Sequence, residues 1–350
     1  MDNKSDSCEE VIKQVKSQFN GEREHDRKII RQAMDEYQDS PNSREIIHEL
    51  SRMLTNYLTQ EEIDGFNRAL EKSMPEIPLL DSVEEDLNNQ RFEEAYEKLD
   101  NYMNENRNYI PDEKVEYHVF NNDFEEKIFE KYFTVKRESR TIPFNVPIFM
   151  LYHYYAYFLV EQNRMDEAEK YLKLGLEYNP VSPQLLFELI DIYKKKGDWD
   201  NMNKYIESAF KYAYTPDAMA RIYRDLGYYY VELQKLDVAA ALYIYSLKYE
   251  QTDLSYAELE YIKNLGQDIE ITMEEAQQTL KDNNIQLVAN PFIVEEFRKR
   301  GDKFAENEDL ENALEMYTLA YILDDSMENQ MRYKMAQAAL NGEDHVNITL

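Results

Sequence analysis

Eight residues in the middle of this chain could engage a ligand: His153 and Tyr157, then Phe187, Asp191 and Lys194, then Arg221, Arg224 and Tyr228. Within each group the steps are three or four residues, so on a helix each group shares one face. Such a mixture is suited to holding a partner rather than to transforming it. A guanidinium takes a carboxylate through two parallel hydrogen bonds, and aromatic rings supply rigid apolar area. Patterns that carry catalysis are missing. The five histidines, His25, His48, His118, His153 and His345, include no pair at metal-ligand spacing, and no glycine-rich phosphate loop is present. Glu125-Glu126 and Glu274-Glu275 read as helix-surface charge or as first-turn partners of the helix dipole. Cys8 sits in a polar stretch without the setting of a nucleophile. The expectation is a non-enzyme that needs no cofactor and no metal.

The elements that must position these residues repeat. Three runs share one apolar spacing: Tyr152, Tyr155, Ala156 and Leu159 with Ala168 and Leu172; Leu186, Leu189, Ile190 and Tyr193 with Met202 and Ile206; Tyr223, Leu226, Gly227 and Tyr230 with Ala239 and Tyr243. In each run one residue lies 12 before its partner (Ala156 and Ala168, Ile190 and Met202, Gly227 and Ala239), and the runs recur after 34 and 37 residues. Apolar residues every three or four positions predict paired amphipathic helices. Small residues where they cross let the axes approach closely. Asp166, Asp198 or Asp200, and Asp237 fall where each second helix begins and can cap it. Pro180, Pro183 and Pro216 fall at unit ends, where a missing N–H costs least.

This pattern resembles the tetratricopeptide repeat (TPR), a helical hairpin with a period of about 34 residues. The resemblance implies an all-α fold: a right-handed superhelical solenoid of stacked hairpins, here with an N-terminal helical bundle or cap. It also implies that the first helix of each hairpin lines a concave surface. On that surface would stand His153, Tyr157 and Val160, then Phe187, Asp191 and Lys194, then Arg221, Arg224, Tyr228 and Val231. The family's carboxylate clamp needs Lys and Asn where this chain has His153 and Tyr157, so chaperone-tail recognition is not implied. Arg221 and Arg224 could supply the electrostatic part by another route.

The rest of the chain reads as follows. Residues 1–20 form a frayed N-terminus, and 21–75 a helical segment whose third helix starts at a capping box, Thr59-Gln60-Glu61-Glu62. Residues 76–147 hold divergent hairpins and an extended linker. Val83 and Ala95 again stand 12 apart, and the 73 residues from Ala95 to Ala168 leave room for one eroded unit between them, built from two amphipathic stretches in 112–133. Ile142, Phe144 and Val146 would bury that linker. Three full units occupy 149–253, and a divergent hairpin (Asp253–Leu265, Thr272–Asn283) with a loop occupies 254–290. A last unit, with Gly301 and Ala313 12 apart, and a capping helix complete 291–341.

Composition supports helices. There are only 8 Gly and 10 Pro in 350 residues, fewer than a β-rich fold needs for its turns. Of 29 Tyr, 19 lie in 149–261 and can fill wide gaps between helices. The net charge of −30 argues against nucleic acid and anionic membrane. It also makes a DNA-reading role for the acidic N-terminal helices a poor expectation. That charge divides unevenly: −14 in 1–148, −3 in 149–240 and −13 in 241–350. Solubility of an aromatic-rich array explains the acidic flanks; repulsion of unwanted partners is the alternative. A single cysteine and the absence of an apolar leader or an 18-residue apolar run predict a cytoplasmic protein. The expected function is a scaffold or adaptor for a protein or peptide presenting an acidic group. The alternative is a cytoplasmic regulatory receptor for a small peptide signal with an N-terminal effector bundle.

Overall fold

The structure, a computed structural model, describes residues 7–38, 40, 42–63, 65, 76–105, 115–134, 138–142, 148–266 and 270–341. Among these the chain is helical apart from one pair of short strands, and it divides into two compact units, Met1–Pro78 and Leu79–Leu350.

The first unit holds α1 (Cys8–Lys16), α2 (Arg23–Tyr37) and α3 (Ser43–Thr55). Where a frayed terminus is expected, α1 is an ordered helix opened by a reciprocal Ser7–Glu10 capping box. The reason is its spacing: Cys8, Val11 and Val15 fall on one face and are buried against Ile30, Ala33, Ile46 and Leu50. The Thr59 box forms as read. The Glu62 N–H donates to Thr59 Oγ1 at 3.1 Å, and the Thr59 N–H to Glu62 Oε2 at 2.8 Å. Both Arg27 terminal nitrogens bind the same carboxylate, at 3.2 and 2.6 Å. Most of the helix expected to follow, up to Pro75, lies outside the described residues, as do Phe144, Val146 and the tail from residue 342.

The second unit contains the helix pairs α4 (Glu76–Asn88) and α5 (Phe92–Glu105), α7 (Phe149–Glu161) and α8 (Met165–Tyr178), α9 (Pro183–Lys196) and α10 (Trp199–Tyr212), and α11 (Pro216–Glu232) and α12 (Leu236–Ser246). Neighbouring helices pack along the chain, α8 on α9 and α10 on α11. The residues read as crossing points, Ala156, Ala168, Ile190, Met202 and Ala239, are all buried, as are Val83 and Ala95. A shared corner joins each pair. One residue is left-handed: Gln90 (φ 58°), Asn163 (61°), Gly197 (68°) and Gln234 (57°), with Glu308 (59°) in the last pair. The next residue donates its N–H to the carbonyl five positions back, at 2.8–3.0 Å, which closes a Schellman-type end. The left-handed residue stands five before the packing residue of the second helix each time. Only one of these corners uses glycine, so the sequence does not announce them. Of the expected aspartate caps, Asp198 accepts the Asn201 N–H at 3.1 Å. Asp166 and Asp237 instead lie inside the first turn, where their charge favours the helix dipole.

Three expectations are corrected. First, among the described residues no hairpin separates 76–105 from 149–178. The Tyr96 ring of α5 stacks directly on Tyr155 of α7 at 6.1 Å, and Tyr155 donates to Asp100 at 2.6 Å. Second, of the two amphipathic stretches read in 112–133 the later one is a helix, but the earlier one holds a strand. β1 (Val115–Val119) pairs in parallel with β2 (Glu138–Ile142), and α6 (Asp123–Tyr132) is the crossover that parallel strands require. Val115, Tyr117 and Val119 are the β-favouring residues responsible. Within the second unit α6 packs through Phe124, which meets Tyr214 and Phe297, and Tyr132, which meets Tyr212 and Phe292. Third, the hairpin expected after residue 253 does not use its predicted crossing: Asn264 stays exposed. α13 (Asp253–Asn264) and α14 (Met273–Asp282) both pack on α12. The polar amide cannot enter a crossing, whereas α12 is apolar all round, with Val238 through Tyr243 buried.

The chain then crosses a cluster of tyrosines. The Tyr223 hydroxyl donates to Gln286 O, and the Tyr245 and Tyr249 hydroxyls to Leu287 O, at 2.7–3.0 Å. α15 (Pro291–Glu306) and α16 (Leu310–Leu323) form the last pair, with α17 (Met327–Leu340) packed on α16. No helix among the described residues is long and apolar enough to cross a membrane.

Candidate functional site

Of the residues singled out by the sequence, α9 and α11 carry six and α7 carries His153 and Tyr157, and α9 and α11 share a site with α13. α9 starts cleanly because Ser182 caps it and Pro183 fills the first position; it stops at left-handed Gly197. α11 repeats the device with Thr215 and Pro216. α13 starts at Thr252, which accepts the Ser255 N–H at 3.3 Å. Between them lies a cavity of about 340 Å³. Asp191 and Lys194 reach it from α9, Arg221, Arg224 and Asp225 from α11, Tyr243 from α12, and Leu254 and Glu258 from α13.

Four of the eight predicted residues thus line one cavity: Asp191, Lys194, Arg221 and Arg224. Phe187 and Tyr228 support it. Phe187 is buried beneath the Arg221 guanidinium at 4.4 Å, and Tyr228 presents its ring face to Lys194 Nζ at 3.7 Å. His153 does not present a free ring edge. Its Nδ1 is sealed without a hydrogen bond, and burial, with Arg221 nearby, holds its pKa below the usual histidine value. Tyr157 is exposed but meets Phe158, and it is not among the residues lining the cavity.

The cations here already have partners. Arg221 binds Asp191 at 2.8 Å, and Arg224, itself largely buried, binds Glu250 at 2.9 Å. Asp225 differs. It is 7 % exposed, its Oδ2 has no hydrogen-bond partner, and the nearest cation atom is Arg221 Nε at 3.8 Å. Burial pushes its carboxyl up to about 7 against the pull of Arg221. Glu188, one turn from Asp191, is raised in the same way by burial and by that neighbouring carboxylate. The arrangement can orient a bound group by charge and by ring contact. It offers no nucleophile paired with a base.

Sequence reasoning missed Asp225, Tyr243, Leu254 and Glu258. Asp225 had a signal, a carboxylate four residues after Arg221 on the same helix. Leu254, Glu258, Tyr261 and Leu265 also form one helical row, but the poor crossing residue Asn264 had marked that unit as eroded. In a larger hollow along α8 the lining Glu169 is already held by Lys173 and, from α9, by Lys196, each at 2.6 Å. No family model and no curated protein matches this chain.

Proposed function

We propose that this chain is a non-enzymatic binding module of the tetratricopeptide-repeat type, a superhelical array that captures a protein or peptide on the first helices of its central hairpins. Recurring pairs with one shared corner and buried small residues support the family reading. One observation carries the binding reading: α9, α11 and α13 jointly wall an open cavity that mixes fixed charges with aromatic and apolar surface. A largely preformed groove of this kind captures a segment with little rearrangement.

The double variant Arg224→Glu, Tyr228→Ala is expected to abolish partner capture in an affinity purification while far-ultraviolet circular dichroism stays unchanged. Undiminished capture would remove this face from consideration. The separate core of the first unit favours a second reading, a cytoplasmic regulatory receptor in which a small peptide on the array controls an N-terminal effector bundle. Mass spectrometry of the purified complex separates the two. A scaffold retains a protein; a receptor retains a peptide of a few residues and changes conformation with it.

A further inference from the structure

Three carboxylates, Asp191, Asp225 and Glu258, and three cations, Lys194, Arg221 and Arg224, line the cavity, but one of those cations is spent elsewhere: Arg224 binds Glu250, which is not part of the lining. Asp191 engages Arg221, Glu250 engages Arg224, and Lys194 rests on the Tyr228 ring. What remain are Glu258 and Asp225, and of these Asp225 is buried, its Oδ2 without a hydrogen-bond donor and with Arg221 Nε only as near as 3.8 Å. A buried polar atom left in that condition is costly, and a cation with N–H donors is the group that relieves it. Beside the cavity, α13 continues an apolar row. Leu254 is 56 % exposed, Tyr261 51 % and Leu265 49 %, with Glu258 in the same row. The chain as a whole carries −30, which favours encounter with a basic segment.

We propose that this cavity receives one lysine or arginine side chain of a partner segment, with Asp225 as its counter-ion and the segment's flanking apolar residues on the Leu254, Tyr261 and Leu265 face of α13. This rests on the binding-module reading and names the chemistry of its ligand. A ligand carboxylate would have to displace Asp191 or Glu250 and would then face Asp225, so like charge rejects it. The groups around Asp225 are Asp191 and Lys194 from α9, Arg221 and Arg224 from α11, Tyr243 from α12 and Glu258 from α13. Because the Asp225 carboxyl titrates at about 7 and a cation needs its ionised form, binding strengthens with pH, by roughly tenfold from pH 6 to pH 8.

The test pans the full-length protein at pH 8 against a displayed library of random peptides, in parallel with Asp225→Asn and Glu258→Gln, each first checked for an unchanged circular dichroism spectrum. Selected peptides are then resynthesised with blocked ends for titration. The expected outcome is enrichment of one Lys or Arg beside apolar residues. Asp225→Asn should weaken such peptides about tenfold or more, abolish the pH dependence, and leave no gain over the peptide's own Arg→Gln version. An acidic or neutral consensus, or a basic one indifferent to Asp225→Asn and to pH, overturns the inference and leaves the binding module standing. If Asp225→Asn misfolds, Glu258→Gln and the wild-type pH profile still decide. Failure to enrich any peptide sensitive to Arg224→Glu, Tyr228→Ala removes the binding-module reading itself.

Discussion

Arg224 and Asp225 are adjacent in the chain, yet the first has a carboxylate partner within hydrogen-bond reach and the second has no hydrogen-bond partner for its Oδ2. The energetic consequence is open to test. The folded-state carboxyl of Asp225 titrates at about 7 against an ordinary value of 3.8. Its contribution to stability is therefore full below 3.8 and is lost as pH rises towards 7, where the unfolded chain ionises and the folded one resists. Asn keeps the shape and removes the charge. Asp225→Asn is expected to stabilise the fold at pH 8 by on the order of 1–3 kcal/mol, with little difference at pH 4, in denaturant titrations. Parallel pH profiles for variant and wild type would show that the carboxyl is not held out of water. At this scale the sequence was half legible. Helical spacing put Asp191, Lys194, Arg221 and Arg224 together because a single face of each helix is one-dimensional information. Which of them already has a partner depends on Asp191 arriving from α9 and Glu250 from the loop after α12, and no local pattern encodes that.

Among the elements, the glycines at crossings carry a rule that the twelve-residue spacing only partly captured. A Cβ on Gly227 would come within 2.9 Å of the Tyr243 ring, and one on Gly301 within 2.6 Å of Tyr317. Each tyrosine stands 16 residues after its glycine. Where the first helix offers Val83, Ala156 or Ile190 instead, position 16 on is Leu99, Leu172 or Ile206. Glycine and ring are thus one packing choice, and a larger residue with a branched aliphatic is the other. Gly227→Leu is expected to cost roughly 1–3 kcal/mol through overpacking. Gly227→Ala should cost less, and combination with Tyr243→Leu should recover more than the two single effects predict, since the pair then matches Ala156 with Leu172. Simple additivity in thermal melts would mean that the ring does not set the distance between α11 and α12. The hairpins were legible because period and burial coincide. The βαβ excursion was not, since average composition says nothing about one five-residue strand pair, and α13 and α14 misled because both answer to α12 rather than to a local period.

At the scale of the whole molecule, the two units are expected to respond to acid separately. Glu62 is held down to about 2 by the Thr59 N–H and then by Arg27. Its stabilisation is present above 4.5 and is lost as pH falls from 4.5 to about 2. Glu62→Gln should flatten that part of the acid transition seen by circular dichroism. The one tryptophan, Trp199, lies in the second unit, so its fluorescence transition should not move. A shift in both signals would mean that the units melt as one. Within the second unit, one earlier detail limits how the array can deform. Stacked hairpins behave like a spring whose pitch can open or close. Here α6 is wedged against Tyr212 and Tyr214 beyond the end of one pair and against Phe292 and Phe297 of the last, and its buried Glu125 is bound by Asn179 at 2.8 Å and by Tyr214 at 3.1 Å. Any rearrangement of the pairs that α6 ties together must first break those ring contacts and the two hydrogen bonds on Glu125.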